Sequence, residues 1–140
     1  MAHSQFDLLE MIKAAKAWSI WEGRISKLNQ DPVESFSSTF ADPHYATAFA
    51  RIENHYFMNQ AFFPRDGFLI EKENIAKIAH IPTVIVQGRY DVVCPAISAY
   101  DLRKAMPNAE IHFVLAGHSA FETEIIKKLV AATENFKHRK

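Results

Sequence analysis

Apolar positions recur along this chain with two different spacings, and the change falls near its middle. Close to the N-terminus, Phe6, Leu9, Ile12, Ala17 and Trp21 follow a helical step, which predicts a helix through about Trp21 that ends near Gly23. Asp42-Pro43 is a helix start, an N-cap carboxylate followed by a proline preset for the first turn. The helix it opens runs from His44 to about Asn59, with Tyr45, Phe49, Ile52 and Tyr56 as an apolar stripe at spacings of 4, 3 and 4. Residues 26–41, with Pro32 and several serines, read as short helix and loop. Pro64-Arg65-Asp66-Gly67 is a turn, and Glu71 to Ile78 a short helix.

Beyond Pro82 the pattern shortens. Thr83 to Gln87 is a compact β-branched run, which predicts a strand buried on both faces, as inside a parallel sheet. Gly88 to Cys94 is a loop, Pro95 opens a helix to about Met106, and Pro107-Asn108 breaks it. Glu110 to Leu115 is a second strand, and Gly117-His-Ser119 a second loop. Ser119 and Glu122 have capping-box spacing for a last helix with Phe121, Ile125, Leu129, Ala132 and Phe136 on one face. The chain therefore divides into an aromatic-rich helical region, 1–75, and a βαβα unit, 76–140, of the α/β class. Two parallel strands do not make a sheet closed on both edges, so self-association or a missing N-terminal half is expected.

Composition narrows the partners. Sixteen Lys and Arg balance sixteen Asp and Glu, which disfavours a nucleic-acid binder, and Lys137-His-Arg-Lys140 reads as a solvated tail. No apolar run reaches the ~20 residues of a membrane helix, and the first ten residues lack a signal-peptide layout. Cys94 is the single cysteine, which leaves no internal disulfide and suggests a cytoplasmic protein. There is no H-E-x-x-H, no phosphate loop and no zinc-type cluster, so no cofactor is expected.

The chemistry sits where the strands end. In open α/β sheets ligands gather beyond the carboxyl ends of the strands. Asp91 follows the first strand and His118 the second, 27 residues on. An acid then a histidine at consecutive strand ends is the second part of the Ser…Asp…His order of α/β-hydrolases. The acid would fix the imidazole tautomer, and the other ring nitrogen would serve as general base. Taken singly, Asp91 reads first as turn chemistry and Gly117-His-Ser119 as a loop with a helix cap; it is the two together, at the ends of consecutive strands, that point to catalysis.

Longer strings carry a resemblance. Ala17-Trp-Ser-Ile-Trp-Glu-Gly23, Asp42-Pro-His-Tyr-Ala46, Ala50-Arg-Ile-Glu-Asn-His-Tyr-Phe57, His80 to Pro95 and Gly117-His-Ser119 resemble the C-terminal half of proline iminopeptidases (prolyl aminopeptidases). The similarity spans residues 12–136. It implies the last two parallel strands and helices of an α/β-hydrolase fold, preceded by a helical cap. It also implies release of N-terminal proline from peptides by a serine hydrolase. By resemblance, Asp91 and His118 are the triad acid and base. Glu22 and Glu53 are cap carboxylates for the substrate's α-amino group, and Phe57 and Cys94 line the proline pocket. Read from the residues alone, Glu53 shares a helix face with Phe49 and Phe57, an aromatic setting that suits capture of an ammonium group. Without the resemblance, the favoured reading of Glu53 is pairing with a structural Arg or reaching out to solvent, and that of Phe57 and Cys94 is core packing.

One element of the family is absent from the sequence. The glycines stand at 23, 67, 88 and 117, so no G-x-S-x-G nucleophile elbow can be formed from them. The chain is accordingly read as a C-terminal fragment of such an aminopeptidase, inactive by itself. The alternatives are a fragment of another cap-bearing hydrolase, such as an esterase, and a non-catalytic α/β binding or structural module. Glu22 and Glu53 discriminate the first, because an ester substrate has no ammonium group to hold.

Overall fold

The computed structural model describes residues 5–30, 32 and 39–137. Residues 31 and 33–38 of the segment 26–41 assigned to short helix and loop, and the last three residues of the basic tail, lie outside them. The chain forms two compact units. One comprises residues up to Arg24 together with Gln30–Pro64; the other comprises Ile25–Asn29 and Arg65 onward.

The first unit is helical. Helix α1 (Gln5–Ile25) runs one turn-fraction past Gly23, and helix α2 (Pro43–Met58) begins where Asp42-Pro43 predicts. Asp42 is extended, and its Oδ1 accepts from the Tyr45 amide at 2.8 Å, which satisfies one of the amides a helix start leaves orphaned. The covered line of α2 passes through Ala46 rather than the expected stripe, since Tyr45, Ile52 and Tyr56 are all exposed. The aromatic rings instead pair along the helix, with Tyr45 stacked on Phe49 at 5.8 Å. On α1 the fully covered positions are Ala15, Ser19 and Gly23, one turn apart each time.

The second unit has the expected order. Helix α3 (Lys72–Ile78) leads into strand β1 (Val84–Gly88), helix α4 (Ala96–Ala105), strand β2 (Glu110–Val114) and helix α5 (Thr123–Lys137). The strands pair in parallel with Val84 opposite Glu110 and Gly88 opposite Val114. Helix α4 packs on β1, and α5 packs on both strands. The core is small: Ile75, Met106 and Ala109 are buried, with Ile85, Leu102 and Ala105 packed against them.

Two expectations change here. The β1 residues Val84 to Gln87 are half-buried rather than enclosed on both faces, because the sheet among the described residues has only two strands. The capping box does not form. Ser119 Oγ accepts from the Phe121 amide at 3.3 Å and the Glu122 side chain turns elsewhere, so α5 starts at Thr123 and leaves Phe121 outside the helix, 83% exposed. Ile125 alone of the expected face is fully buried.

Candidate active site

The ladder brings the C-terminal ends of β1 and β2 side by side, and the chain keeps them together beyond it. Arg89 N–H donates to Val114 O at 2.9 Å and Tyr90 N–H to Ala116 O at 3.0 Å. At Gly88 a Cβ would lie 1.8 Å from the Gly117 carbonyl oxygen, so only glycine allows the two loops to approach this closely.

Asp91 and His118 stand in those two loops. His118 Nδ1 lies 3.1 Å from Asp91 Oδ2. A carboxylate oxygen only accepts, so this bond requires the proton on Nδ1, and in the neutral ring that tautomer leaves Nε2 with its lone pair. The Asp91 side chain is 6% exposed and that of His118 41%, so the acid is enclosed while the imidazole reaches solvent. The remaining capacity of the carboxylate is filled. Oδ1 accepts from Val93 N–H at 3.0 Å and Cys94 N–H at 2.7 Å. Oδ2 also accepts from Gln87 Nε2 at 3.1 Å. The two readings of Asp91 thus coexist in one side chain: one oxygen turns the loop and the other faces the histidine.

Gln87 carries no motif that marks it in the sequence. It sits at the end of a strand whose pattern only asked for an apolar interior. Its amide donates to Asp91 Oδ2 and, at 3.1 Å, to Cys94 O, so it spans the loop that presents the acid. Gln87→Leu would strip a donor from an enclosed carboxylate. We expect a loss of about 1–3 kcal/mol in urea unfolding with the fold retained; an unchanged midpoint would show that water replaces the amide without cost.

Cys94 is exposed and in no disulfide. Its backbone serves the acid, through the amide to Asp91 and the carbonyl to Gln87.

The first unit gathers a second group. Trp18 Nε1 donates to Glu53 Oε2 at 2.6 Å, so α1 holds the α2 carboxylate through an indole rather than an arginine. Trp18 packs against Trp21 at 5.3 Å and edge-on to Phe57 at 6.4 Å. Glu22 is half-buried one turn along α1 from Trp18. Phe57 is 63% exposed, which excludes simple core packing in this unit. An open groove of about 410 Å³ is lined by Trp18 and Phe57 together with Ala15, Thr47, Arg51 and Asn54. The sequence pattern placed Glu53 and Phe57 on one face; it contained nothing that would name Trp18 as their partner.

No helix among the described residues is long and apolar enough to cross a membrane. No family model matches the chain. Over 124 residues it is 56% identical to a protein named probable proline iminopeptidase from Leptolyngbya boryana, a match that covers 88% of this chain and 37% of that one. The proline iminopeptidase of Xanthomonas citri is 53% identical over 126 residues, covering 89% and 39%. That of Arabidopsis thaliana is 49% identical over 132 residues, covering 94% and 34%. The chain therefore spans little more than a third of the length of the curated relatives it matches. Among solved structures, an esterase from Exiguobacterium antarcticum superposes with a TM-score of 0.59 at 17% identity, covering 98% of this chain and 50% of the other. The chain has the fold of the C-terminal part of an α/β-hydrolase, and by sequence it is a homologue of the C-terminal part of the proline iminopeptidases.

Proposed function

We propose that this chain supplies the acid and base of a prolyl aminopeptidase of the serine-hydrolase type, together with the carboxylates that hold the substrate's free amino group. The observation that carries the reading is the Asp91–His118 pair at the ends of adjacent parallel strands. In the reaction, His118 Nε2 takes the proton of a serine hydroxyl as its oxygen attacks the prolyl carbonyl. The imidazolium then returns that proton to the leaving amine, and water hydrolyses the resulting ester by the same route. Asp91 keeps the imidazole in the Nδ1–H form and stabilises the cation. Glu53 and Glu22 bind the prolyl ammonium, and Phe57 and Cys94 pack on its ring. No metal or organic cofactor takes part. The division into a helical cap, 1–75, and a hydrolase core region, 76–140, belongs to the same reading, as does a cytoplasmic location.

The four glycines of the chain form no G-x-S-x-G elbow, so in this reading a second segment supplies the nucleophilic serine and the oxyanion donors. Purified alone, it should release no proline from a proline arylamide. Co-expressed with such a segment, it should do so in a His118-dependent way. His118-dependent release by the chain alone would overturn the division of labour, and no release from the combination would favour the non-catalytic module.

The same reading predicts association. Each strand has one edge without a ladder partner among the described residues, and both are half-buried. Such edges recruit further strands. Sedimentation at micromolar concentration should show a dimer or larger species; a compact 16 kDa monomer with cooperative unfolding would show that the chain shields its own edges.

A further inference from the structure

Glu122 is a carboxylate that the proposed reaction does not use, and it is only 8% exposed. Its oxygens take backbone amides from two separate stretches. Oε1 accepts from Gly117 N–H at 2.6 Å, and Oε2 from Leu28 N–H at 3.1 Å and Asn29 N–H at 3.5 Å. The same two stretches are joined again by the backbone, where His118 N–H and Ser119 N–H both donate to Ser26 O, at 2.9 and 2.7 Å. Residues 25–29 therefore form a strap across the loop that carries His118, and Glu122 is its fastening. At Gly117 a Cβ would meet Leu28 N at 2.9 Å and Glu122 Oε1 at 3.1 Å, so the loop runs too close to the strap and its fastening to admit a side chain there.

We propose that Glu122 is a positioning residue for His118: by tying the Gly117 amide to the 25–29 strap it fixes the loop from which the imidazole meets Asp91. This inference rests on the acid–base reading of the pair. Glu122 touches neither side chain of the pair. It acts through the peptide that precedes His118, and a charge-assisted bond of this length tolerates little displacement of its donor. A glutamine in its place keeps the shape but must turn an NH2 group toward one of the amides the carboxylate holds, which opens one side of the clamp.

The test uses the 140-residue chain and reads the tautomer of the neutral His118 ring by long-range ¹H–¹⁵N NMR. In the wild-type chain Nδ1–H should dominate. In Glu122→Gln the Nδ1–H to Nε2–H ratio should fall by about tenfold, as expected when a hydrogen bond to a charged acceptor loses its geometry, while the Val93 and Cys94 amide resonances stay in place. A variant that only weakened folding would lower the unfolding midpoint without moving this ratio. A wild-type ring with no Nδ1–H preference overturns the acid–base reading and this inference with it. A wild-type ring that has the preference, with an unchanged ratio in folded Glu122→Gln, overturns this inference alone. If Glu122→Gln does not fold, Glu122→Asp is read in the same way, because it keeps the charge but withdraws it from the strap. A folded Glu122→Asp with a lowered ratio supports the proposal, and one with an unchanged ratio overturns it. Failure of both variants to fold would overturn it too, by making Glu122 a support of the whole unit.

Discussion

Asp91→Asn, in the chain paired with a nucleophile-bearing segment, is expected to lower turnover of a proline arylamide by about four orders of magnitude, by analogy with the same change in serine proteases. The geometry gives the reason. Asp91 Oδ1 is committed to the Val93 and Cys94 amides, so an asparagine keeps its carbonyl there and turns its NH2 toward His118 Nδ1. The imidazole must then accept at Nδ1 and carry its proton on Nε2, the nitrogen that has to act as base. The same NH2 meets the Gln87 amide donor, so some loss of stability accompanies the loss of rate. Circular dichroism should show an unchanged fold and kinetics a collapse in kcat. A loss under about tenfold, ~1.4 kcal/mol of barrier, would move the acid elsewhere in the chain.

The second large effect is expected at Glu53. In the same paired enzyme, Glu53→Gln should cost unblocked substrates roughly 3 kcal/mol of transition-state binding, the low end for breaking a carboxylate–ammonium pair, or about a hundredfold in kcat/KM. N-blocked substrates, which carry no ammonium group, should change little. Glutamine is the discriminating substitution because its side-chain oxygen can still accept from Trp18 Nε1, so the aromatic group around Trp18 and Phe57 keeps its anchor. Equal losses on both substrate types would make Glu53 a structural acceptor for the indole and nothing more. Glu22→Gln should act in the same direction.

These two residues illustrate different degrees of legibility. Asp91 was readable because its position depends on local facts: a β-branched run, a glycine, and an acid within a few residues of the strand end. His118 was readable for the same reason, and a parallel pairing of consecutive strands then obliges the two loops to be neighbours. For Glu53 the helical repeat correctly grouped it with Phe57, yet the aromatic stripe drawn along the same helix was not the buried one. Periodicity reports which residues share a face. It does not report which face another element will cover, and on α2 that line runs through Ala46.

Sequence alone determined the element order, the N-cap at Asp42, the parallel α/β class and the two loops that hold Asp91 and His118, because each depends on residues close together in the chain. Tertiary structure decided everything that joins distant stretches. It chose Gln87 to share Asp91 Oδ2, and Trp18 to hold Glu53 across 35 residues of sequence. It also took Glu122 away from the capping box its spacing suggests and gave it to the Gly117 and Leu28 amides. A carboxylate beside a helix start can satisfy its own helix or the backbone of another segment. Local spacing describes only the first choice, and the second wins here because the buried Gly117 amide needs an acceptor that Glu122 supplies, while the other carboxylate oxygen takes the part-buried Leu28 amide.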